Sequence, residues 1–530
     1  MWRRVGAAVR RGTRLSRGAW LRIAGLVCVL LALGTWSVAS PLGSTPDEDF
    51  HLTSIWCSHG DYPGMCEPGA SSDTRRVSEQ LLDATCYWGD ATKTAACQEP
   101  GPYDLVDSSR GNFSGIYPPV YYYLAGFFAG DDVTRSVLAI RIANTFLYLG
   151  LLTAVYLLVS PGLRRGLLAG ALLTAVPLGV FLIPSINPTS WSILSGTTTL
   201  ISVVGYLTSE NRTRRVALAV LAGLSVLIGA GARADSASYA VLAIVVAVIL
   251  TARRPTVTPR RLALPAVLAV LALVSFLGAR QSGNPGQAPL AFKPLIALDS
   301  LMQIPSLWVG ALGGPPPHEN MRPEMAWGLG ARDTAMPSTV WLGMWSLYIA
   351  ILVLALAKGG RRRSIAVGTV AVAAFVIPAY YNQVAWEKVG GIIQPRYILP
   401  LLIILLAAAV MRLDGPAFRI RPALRWALVV VLSVANALAL YANLKRNVVG
   451  VQFDVINLDS HVQWWWTPSP LSPMAVWAIG AVTFAAGVVL LSRELTEPVD
   501  AVSADAVSVD SGPGGDGGLP SAMRHTGAVL

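Results

Sequence analysis

Long apolar stretches with almost no charged residues recur along this chain, and polar segments separate them. Each stretch is about 16 to 22 residues long, close to the length at which a helix crosses roughly 30 Å of hydrocarbon. The pattern predicts an all-α polytopic membrane protein of about 12 transmembrane helices, within a range of about 10 to 13. The predicted spans lie near 21–41, 136–159, 166–184, 189–208, 216–232, 236–251, 262–279, 339–357, 365–381, 397–411, 426–442 and 474–492.

Polar segments divide the chain into three regions. Residues 1–20 form a basic N-terminus, 21–492 a transmembrane domain, and 493–530 a tail rich in Gly and Ser. The tail cannot bury a core, so we expect it to be disordered. The transmembrane domain contains four longer loops, at 42–132, 280–338, 382–396 and 443–473. We expect the second of these loops to cover a site or to bind a substrate.

Composition and charge support this organisation. The chain is 53% hydrophobic and only 13% charged, which is more apolar surface than a soluble domain can bury. With the N-terminus in the cytoplasm, the predicted cytoplasmic segments before the last span together carry 24 Lys and Arg and two acids. The first of these segments is counted as residue 1 through Arg22. The four longer loops carry 12 Lys and Arg and 21 acids. The positive-inside rule therefore places those loops outside and both termini in the cytoplasm of a plasma-membrane protein.

The net charge of +11 is thus a topological signal, and we expect no nucleic-acid partner. A cleaved signal peptide is the alternative interpretation of the first apolar run, which follows several arginines and ends at Ser40. Pro41 disfavours cleavage there, and the run is longer than a usual signal core. We therefore expect the run to be a retained helix.

Four of the five cysteines fall in the first outside loop, which indicates an oxidising compartment. Cys57, Cys66, Cys86 and Cys97 allow three disulfide pairings, of which Cys57–Cys66 with Cys86–Cys97 closes the shortest loops. A zinc site is the alternative interpretation, but no C-x-x-C pair is present.

An acidic cluster follows the first span, where Asp47, Glu48, Asp49 and His51 come directly after Pro46. Acidic residues in the first turn of a helix are favoured by the helix dipole, and this gives a purely structural interpretation. The functional interpretation is a general base toward a hydroxyl acceptor. Carboxylates crowded near a low-dielectric boundary are expected to have raised pKa values. Alternatively, the cluster holds a divalent metal, Mg or Mn, beside a phosphate leaving group, with Asp49 and His51 as supporting or metal-binding residues.

Polar residues also gather at the outer ends of later spans. Tyr117 begins a tyrosine-rich stretch that is too short to span, and we expect an interfacial helix with tyrosines at headgroup level. Arg141 lies deep in the second span, where a charge normally needs a partner. Asn187, Arg233 and Asp235 lie at two outside turns, and the last two either pair with each other or join a site.

A third cluster, Gln394, Arg396 and Tyr397, precedes the tenth span. Positive charge at Arg396 has no topological purpose on this side. A guanidinium at headgroup depth is suited to binding a lipid phosphate, although it could also anchor the helix at the interface.

Taken together, these motifs resemble a bacterial membrane-protein family, common in actinobacteria, that is itself similar to the GT-C class of glycosyltransferases. The resemblance covers roughly residues 20–495 and rests on Pro46-Asp47-Glu48-x-x-His51, Tyr117-Pro118-Pro119-x-Tyr121-Tyr122, Asn187-Pro188 and Gln394-x-Arg396-Tyr397-x-x-Pro400. It implies a GT-C-like enzyme that moves a sugar, usually with inversion, from a polyprenyl-phosphate carrier to a glycan or other envelope acceptor outside. Catalysis would fall to Asp47 or Glu48, and Arg396 would hold the carrier phosphate. Pro395 and Asp49 depart from the commoner pattern, which has Gly and Pro at these places.

A transporter or flippase of lipid-linked glycans is the competing hypothesis, and a non-enzymatic envelope assembly protein is a third. A transporter should carry polar residues through the bilayer midplane. Most spans here have interiors of Leu, Val, Ala and Ile, with polar exceptions near the outer ends. The sequence therefore favours an outward-facing enzyme among membrane lipids.

Overall fold

Helices dominate the structure, as the apolar pattern predicts. The computed structural model describes residues 16–98, 101–282, 292–315, 327–357, 359–391, 393–467 and 469–496. Most of the basic N-terminus and of the tail predicted to be disordered lies outside the described residues.

The helices and strands are numbered here in chain order. The long helices are α1 (Arg17–Val38), α5 (Val133–Leu158), α6 (Pro161–Leu173), α8 (Thr189–Thr208), α9 (Arg212–Ala232), α10 (Ala234–Thr251), α11 (Pro259–Gly278), α12 (Pro294–Ala311), α13 (Ser338–Ala357), α14 (Arg361–Ala385), α15 (Pro395–Val410), α16 (Pro422–Leu444) and α17 (Pro473–Leu491). The short elements are α2 (Glu48–Trp56), β1 (Cys66–Pro68), β2 (Arg75–Ser78), α3 (Glu79–Leu82), β3 (Leu105–Ser108), α4 (Val120–Gly126) and α7 (Val180–Leu182).

Each of the twelve predicted spans coincides with helical structure. By length and apolar composition, nine helices of the described residues could cross a membrane, or ten if the pair Pro161–Leu173 and Ala175–Leu182, bent by 82°, is one span. The other two predicted spans correspond to α8 and α15, which are buried along almost their whole length. A helix enclosed by other helices needs no apolar face toward lipid, so α8 can be polar and α15 short. A count of about 12 stays a prediction.

The outer surface of the bundle is apolar, as lipid requires. Val220 on α9 and Val270 and Leu271 on α11 are each more than half exposed. Soluble monomers rarely expose large continuous apolar patches, whereas in a bilayer such side chains face lipid. The structure therefore supports a multi-pass membrane protein.

The two largest loops contain structure that the hydrophobic pattern does not predict. Loop 42–132 holds a three-stranded antiparallel sheet in the order β1-β2-β3. Loop 280–338 holds α12, an 18-residue apolar helix. Pro305 and Asp299 interrupt its apolar sequence, and Asp299 accepts a hydrogen bond from Val389 N (2.8 Å). Apolar character alone therefore does not identify this helix.

Two buried helices place the polar residues at one end of the bundle. Asn187 and Pro188 immediately precede α8, and Pro395 occupies the first turn of α15. The two helices pack closely where Gly196 of α8 faces Ile404 of α15. A Cβ at position 196 would lie only 2.8 Å from the Ile404 side chain. Helix α1 ends, and helices α8 and α15 begin, at the same end of the bundle, which we call the 'loop end'. The charge pattern assigns this end to the outside.

Candidate functional site

The sequence motifs meet at the loop end although they are far apart in the chain. Asp47 Oδ2 accepts a hydrogen bond from Arg396 Nη2 (2.9 Å), and Asn187 Nδ2 donates to Pro46 O (2.8 Å). The guanidinium of Arg233 lies 4.6 Å from the ring of Tyr397. These contacts bring the first loop and the starts of α8, α10 and α15 into one polar cluster, which we call the Asp47 cluster.

Asp47 itself precedes α2 in the left-handed backbone region, at φ 60° and ψ 24°. Among non-glycine residues, Asp and Asn tolerate this conformation best, and strained residues concentrate at functional sites. Its carboxylate also accepts from Arg110 Nη2 (3.2 Å), and its side chain is 39% exposed. Asp47 is therefore held in place while its carboxylate stays partly exposed.

Electrostatics at Asp47 differ from the sequence-based expectation of a raised pKa. Burial alone would raise the pKa of Asp47, but the charges of Arg396 and Arg110 and the hydrogen bond from Arg396 outweigh burial. The pKa of this carboxyl lies well below its usual range. The expectation was wrong because it counted neighbouring carboxylates and missed the arginines that reach them from other elements.

Arg396 is almost fully buried, yet its guanidinium is only partly hydrogen bonded. Nη2 donates to Asp47 Oδ2 and to Tyr397 Oη (2.8 Å). In the described part of the chain, Nε and Nη1 have no hydrogen-bond partner. These two nitrogens carry three N–H donors, and leaving buried charged donors unpaired is costly. These three N–H groups can donate to an acceptor beside Arg396.

A narrow cleft of about 20 Å³ adjoins Arg396, which is room for one water molecule. Trp327 and Arg332 of loop 280–338 line it together with Gln394. This is the loop that the sequence predicts to cover a site, and the structure places it against Arg396. Burial and the charge of Arg396 lower the pKa of Arg332, consistent with two close cations.

Asp49 and Arg110 form the rim of the cluster. Arg110 donates from Nε to Asp49 Oδ2 (2.6 Å) and from Nη2 to Asp49 Oδ1 (2.9 Å), a two-point ion pair. This ion pair raises the pKa of Arg110, and the hydrogen bond with Asp49 makes the largest contribution. Asp49 therefore fixes the arginine that also contacts Asp47, and its supporting role stays a prediction.

Glu48 turns away from its neighbour Asp47. It is fully buried, accepts from Thr45 N (2.8 Å) and Thr45 Oγ1 (2.7 Å), and pairs with Arg141 Nη2 (3.1 Å). Arg141 also donates to the carbonyls of Ser37, Ser40 and Pro41 at 2.6–3.0 Å. The pair fixes the segment that leads to Asp47. This geometry gives Glu48 and Arg141 a structural role and leaves Asp47 as the more exposed of the two adjacent carboxylates.

His51 faces the tyrosines of α4. Its Nδ1 lies 2.9 Å from Tyr122 Oη, and its ring contacts Tyr117 edge-on. Burial lowers the pKa of His51 to about 3, and the positive charges of Arg396, Arg233 and Arg110 act in the same direction. The negative charge of Asp47 would raise this pKa but is outweighed. His51 is therefore neutral at physiological pH.

Lowering the pH should destabilise the protein through His51. The pKa in the folded state, about 3, is below the ordinary value of 6.5, so the unfolded chain binds the proton more tightly between these values. Stability should fall as pH falls through this window, by up to about 1.4 kcal/mol per pH unit. Detergent-solubilised His51→Gln protein should lack this pH-dependent loss of stability when its thermal unfolding is measured. His59→Gln, at an exposed position of the same loop, is the control, and equal pH slopes for His51→Gln and wild type would contradict the prediction.

The tyrosine segment is more deeply buried than an interfacial helix. The helix has only seven residues, and Tyr121 and Tyr122 are buried, whereas Tyr123 and Phe127 are exposed. His51 and Trp191 pack against the inner two tyrosines, so these two side chains face protein, and the placement of the segment at headgroup level stays a prediction. The other face remains apolar and outward, as the prediction requires.

Arg233 and Asp235 pair with each other and also belong to the cluster. Their two hydrogen bonds are both 2.9 Å long. The Arg233 guanidinium lies over the rings of Tyr117 and Tyr397. The two interpretations of these residues were therefore not exclusive, because a paired guanidinium still presents its faces to aromatic rings.

The structure pairs Cys57 with Cys66 and Cys86 with Cys97, both within loop 42–132. In the described residues, no group of three or more His, Cys, Asp and Glu is arranged to hold a metal ion. Asp49 is bound by Arg110 and His51 faces Tyr122, so the acidic cluster does not fit a shared metal. We derive no step through Mg or Mn, and the metal requirement stays a prediction.

Sequence reasoning missed Arg110, Trp327 and Arg332 as members of the site. Arg110 and Arg332 lie in irregular loops with no motif around them. Their one signal was positive charge in loops predicted to be outside, where the positive-inside rule gives it no purpose. The same reasoning selected Arg396.

The interior of α8 corrects the view that polar residues gather only near outer ends. Ser and Thr recur along its buried length, and the hydroxyls of Thr197, Thr199 and Ser202 have no hydrogen-bond partner among the described residues. The apolar count missed this because Ser and Thr are uncharged.

Comparisons with known proteins place these features in a wider context. Residues 30–405 match a family model described as a predicted membrane protein, DUF2142. No curated protein matches the chain. Among solved structures, the chain is similar to ArnT from Cupriavidus metallidurans bound to undecaprenyl phosphate, at 13% identity and a TM-score of 0.42, over 92% of this chain and 80% of that chain. At this level of similarity we transfer no residue role.

Proposed function

The chain belongs to the DUF2142 family of predicted membrane proteins, and from its Asp47 cluster we propose that it is a membrane glycosyltransferase. Its donor would be a sugar linked to polyprenyl phosphate, and its acceptor a glycan or other cell-envelope molecule at the outer face. The observation that carries the proposal is the juxtaposition of Asp47, partly exposed, with Arg396, whose Nε and Nη1 lack partners.

The charges of the cluster suit a phosphate. The four guanidiniums of Arg110, Arg233, Arg332 and Arg396 surround three carboxylates, those of Asp47, Asp49 and Asp235, which leaves one net positive charge. Phosphate oxygens accept strong charge-assisted hydrogen bonds from guanidinium groups. Arg396 also lies in the first turn of α15, where the helix dipole adds positive potential. A phosphate bound there would satisfy donors that the protein leaves unpaired.

Asp47 would act as the general base. Its low pKa keeps it ionised, and a phosphate that competes for Arg396 would neutralise that cation and raise the proton affinity of Asp47. The acceptor hydroxyl gives its proton to Asp47 while its oxygen attacks the anomeric carbon. The bond from that carbon to the phosphate oxygen breaks, and polyprenyl phosphate leaves with the electron pair, stabilised by Arg396. One displacement of this kind inverts the anomeric configuration.

Replacing Arg396 with Ala should weaken polyprenyl-phosphate binding by about tenfold to a hundredfold, the scale of one charge-assisted hydrogen-bonding group. Arg396→Lys should restore part of the affinity, because an ammonium keeps the charge and loses the planar donors. Binding to purified protein in detergent, followed by native mass spectrometry, gives the dissociation constants.

Arg135→Ala is the matched control, since Arg135 is 88% exposed and pairs with Asp132 instead of the cluster. It should bind the carrier within about twofold of wild type, because exposed ion pairs contribute little. Unchanged affinity in Arg396→Ala protein would remove Arg396 from the carrier site.

A transporter of lipid-linked glycans is the second candidate, and the unpartnered hydroxyls of α8 favour it. A row of uncharged polar groups inside the bundle could form hydrogen bonds with a glycan as it crosses the membrane. Reconstituted protein supplied with labelled donor distinguishes the two functions. A glycosyltransferase moves the label onto the acceptor, whereas a transporter changes the leaflet of the donor and breaks no bond.

A further inference from the structure

A large cavity lies at the opposite end of the bundle from the Asp47 cluster. It measures about 1440 Å³ and lies between the C-terminal ends of α10, α13 and α15 and the N-terminal ends of α14 and α16. Seven arginines line it, namely Arg253, Arg361, Arg362, Arg363, Arg412, Arg419 and Arg421. We call it the arginine cavity. The positive-inside rule assigns this end to the cytoplasm.

The charge of the arginine cavity is far from balanced in the described part of the chain. Asp414 is the acidic residue among the lining residues; it pairs with Arg254, and its charge also acts on Arg363. Arg362 donates to the carbonyl of Ala252 and Arg412 to those of Ala409 and Ala355, which leaves their positive charges uncompensated. The cavity therefore concentrates positive potential.

Arg412 forms the floor of the cavity. It is 9% exposed, and its guanidinium lies 5.7 Å from the ring centre of Phe418. Burial and the nearby Arg363 lower the pKa of Arg412 to about 10. A guanidinium this enclosed and close to other cations gains stability from a bound anion.

Topology alone does not require this arrangement. Positive charge in cytoplasmic loops orients a membrane protein wherever in those loops it lies. Arg212, Arg214 and Arg260, at the same end, are exposed and do not line the cavity. The topology therefore does not explain why seven arginines line one cavity. Their combined positive charge favours a bound anion.

The walls of the cavity indicate what kind of anion it takes. Leu250, Leu354, Met411 and Leu424 line it beside the arginines, at the ends of membrane helices. Arginine is well suited to phosphate recognition, and clustered basic residues at a cytoplasmic membrane surface attract anionic lipid headgroups. We infer that the arginine cavity binds a phosphate-bearing anion, and the apolar walls favour the phosphate headgroup of a membrane lipid over a free phosphate. This site is separate from the proposed outer site and does not depend on it.

The test removes charge from the cavity without disturbing its floor. The triple variant Arg361→Gln, Arg419→Gln, Arg421→Gln changes three exposed residues. The control triple variant Arg212→Gln, Arg214→Gln, Arg260→Gln removes the same charge at the same end, outside the cavity. Native mass spectrometry of the full-length protein in neutral detergent measures binding of short-chain phosphatidylglycerol, with phosphatidylcholine as the zwitterionic comparison and inorganic pyrophosphate as the soluble probe.

We expect the cavity variant to bind phosphatidylglycerol at least about tenfold more weakly than wild type, and the control within about threefold. Phosphatidylglycerol binding without pyrophosphate competition identifies a lipid headgroup, whereas pyrophosphate binding of equal strength identifies a soluble phosphorylated ligand. Either result supports a phosphate site. Equal loss in the control variant, equal binding of phosphatidylcholine, or wild-type affinity in the cavity variant would overturn the inference.

Discussion

Asp47→Asn protein should lose about 10²- to 10⁴-fold in sugar transfer while keeping the abundance of wild type. The amide has nearly the volume of the carboxylate and still offers an oxygen to Arg396, but it cannot accept the proton of the acceptor hydroxyl. Asp47 is partly exposed and lies outside the core, so folding should survive. The measurement is transfer from a labelled polyprenyl-phosphate sugar in reconstituted membranes.

The matched control is Asp131→Asn, which makes the same change in the same loop. Asp131 is exposed and accepts a hydrogen bond from Tyr62, away from the Asp47 cluster. Its variant should transfer sugar at the wild-type rate. Full activity in Asp47→Asn protein would exclude Asp47 as the base and make the leaflet assay for a transporter the next experiment.

Glu48→Gln protein should instead fail in stability, with a cost of about 3–5 kcal/mol. Glu48 and Arg141 form an enclosed ion pair whose side chains are 0% and 1% exposed. Removing one charge leaves the other buried without compensation. Thermal unfolding in detergent should show the loss, while the folded fraction should keep the carrier affinity of wild type, because Arg396 is untouched.

A double variant separates the ion pair from the packing of the site. Glu48→Gln with Arg141→Gln should be less destabilised than the sum of the single variants, because no unpaired charge remains. Arg135→Gln breaks the exposed pair with Asp132 and should cost less than about 1 kcal/mol. Additive losses in the double variant, or a small loss in Glu48→Gln, would contradict the structural role of the pair.

The sequence predicted the helical framework well, because the bilayer imposes requirements that can be read locally. A span must be long and apolar whatever its neighbours are, so every predicted span coincides with helical structure. The helix Pro294–Ala311 was not predicted, because Asp299 and Pro305 interrupt its apolar pattern. Asp47 could be selected because three carboxylates and an imidazole crowd at the end of the first span, and Arg396 because positive charge on the predicted outer side has no topological purpose.

The sequence by itself thus determined the membrane class and the helical segments, because both follow from local apolar length. Only the tertiary structure decided which of two adjacent carboxylates is enclosed and which is partly exposed. Glu48 is enclosed because Arg141, 93 residues further along, reaches it, and Asp47 is accessible and strongly ionised because Arg110 and Arg396 approach it from other elements. Burial and charge balance depend on groups brought together from distant parts of the chain, and the local pattern of a sequence does not record those distances.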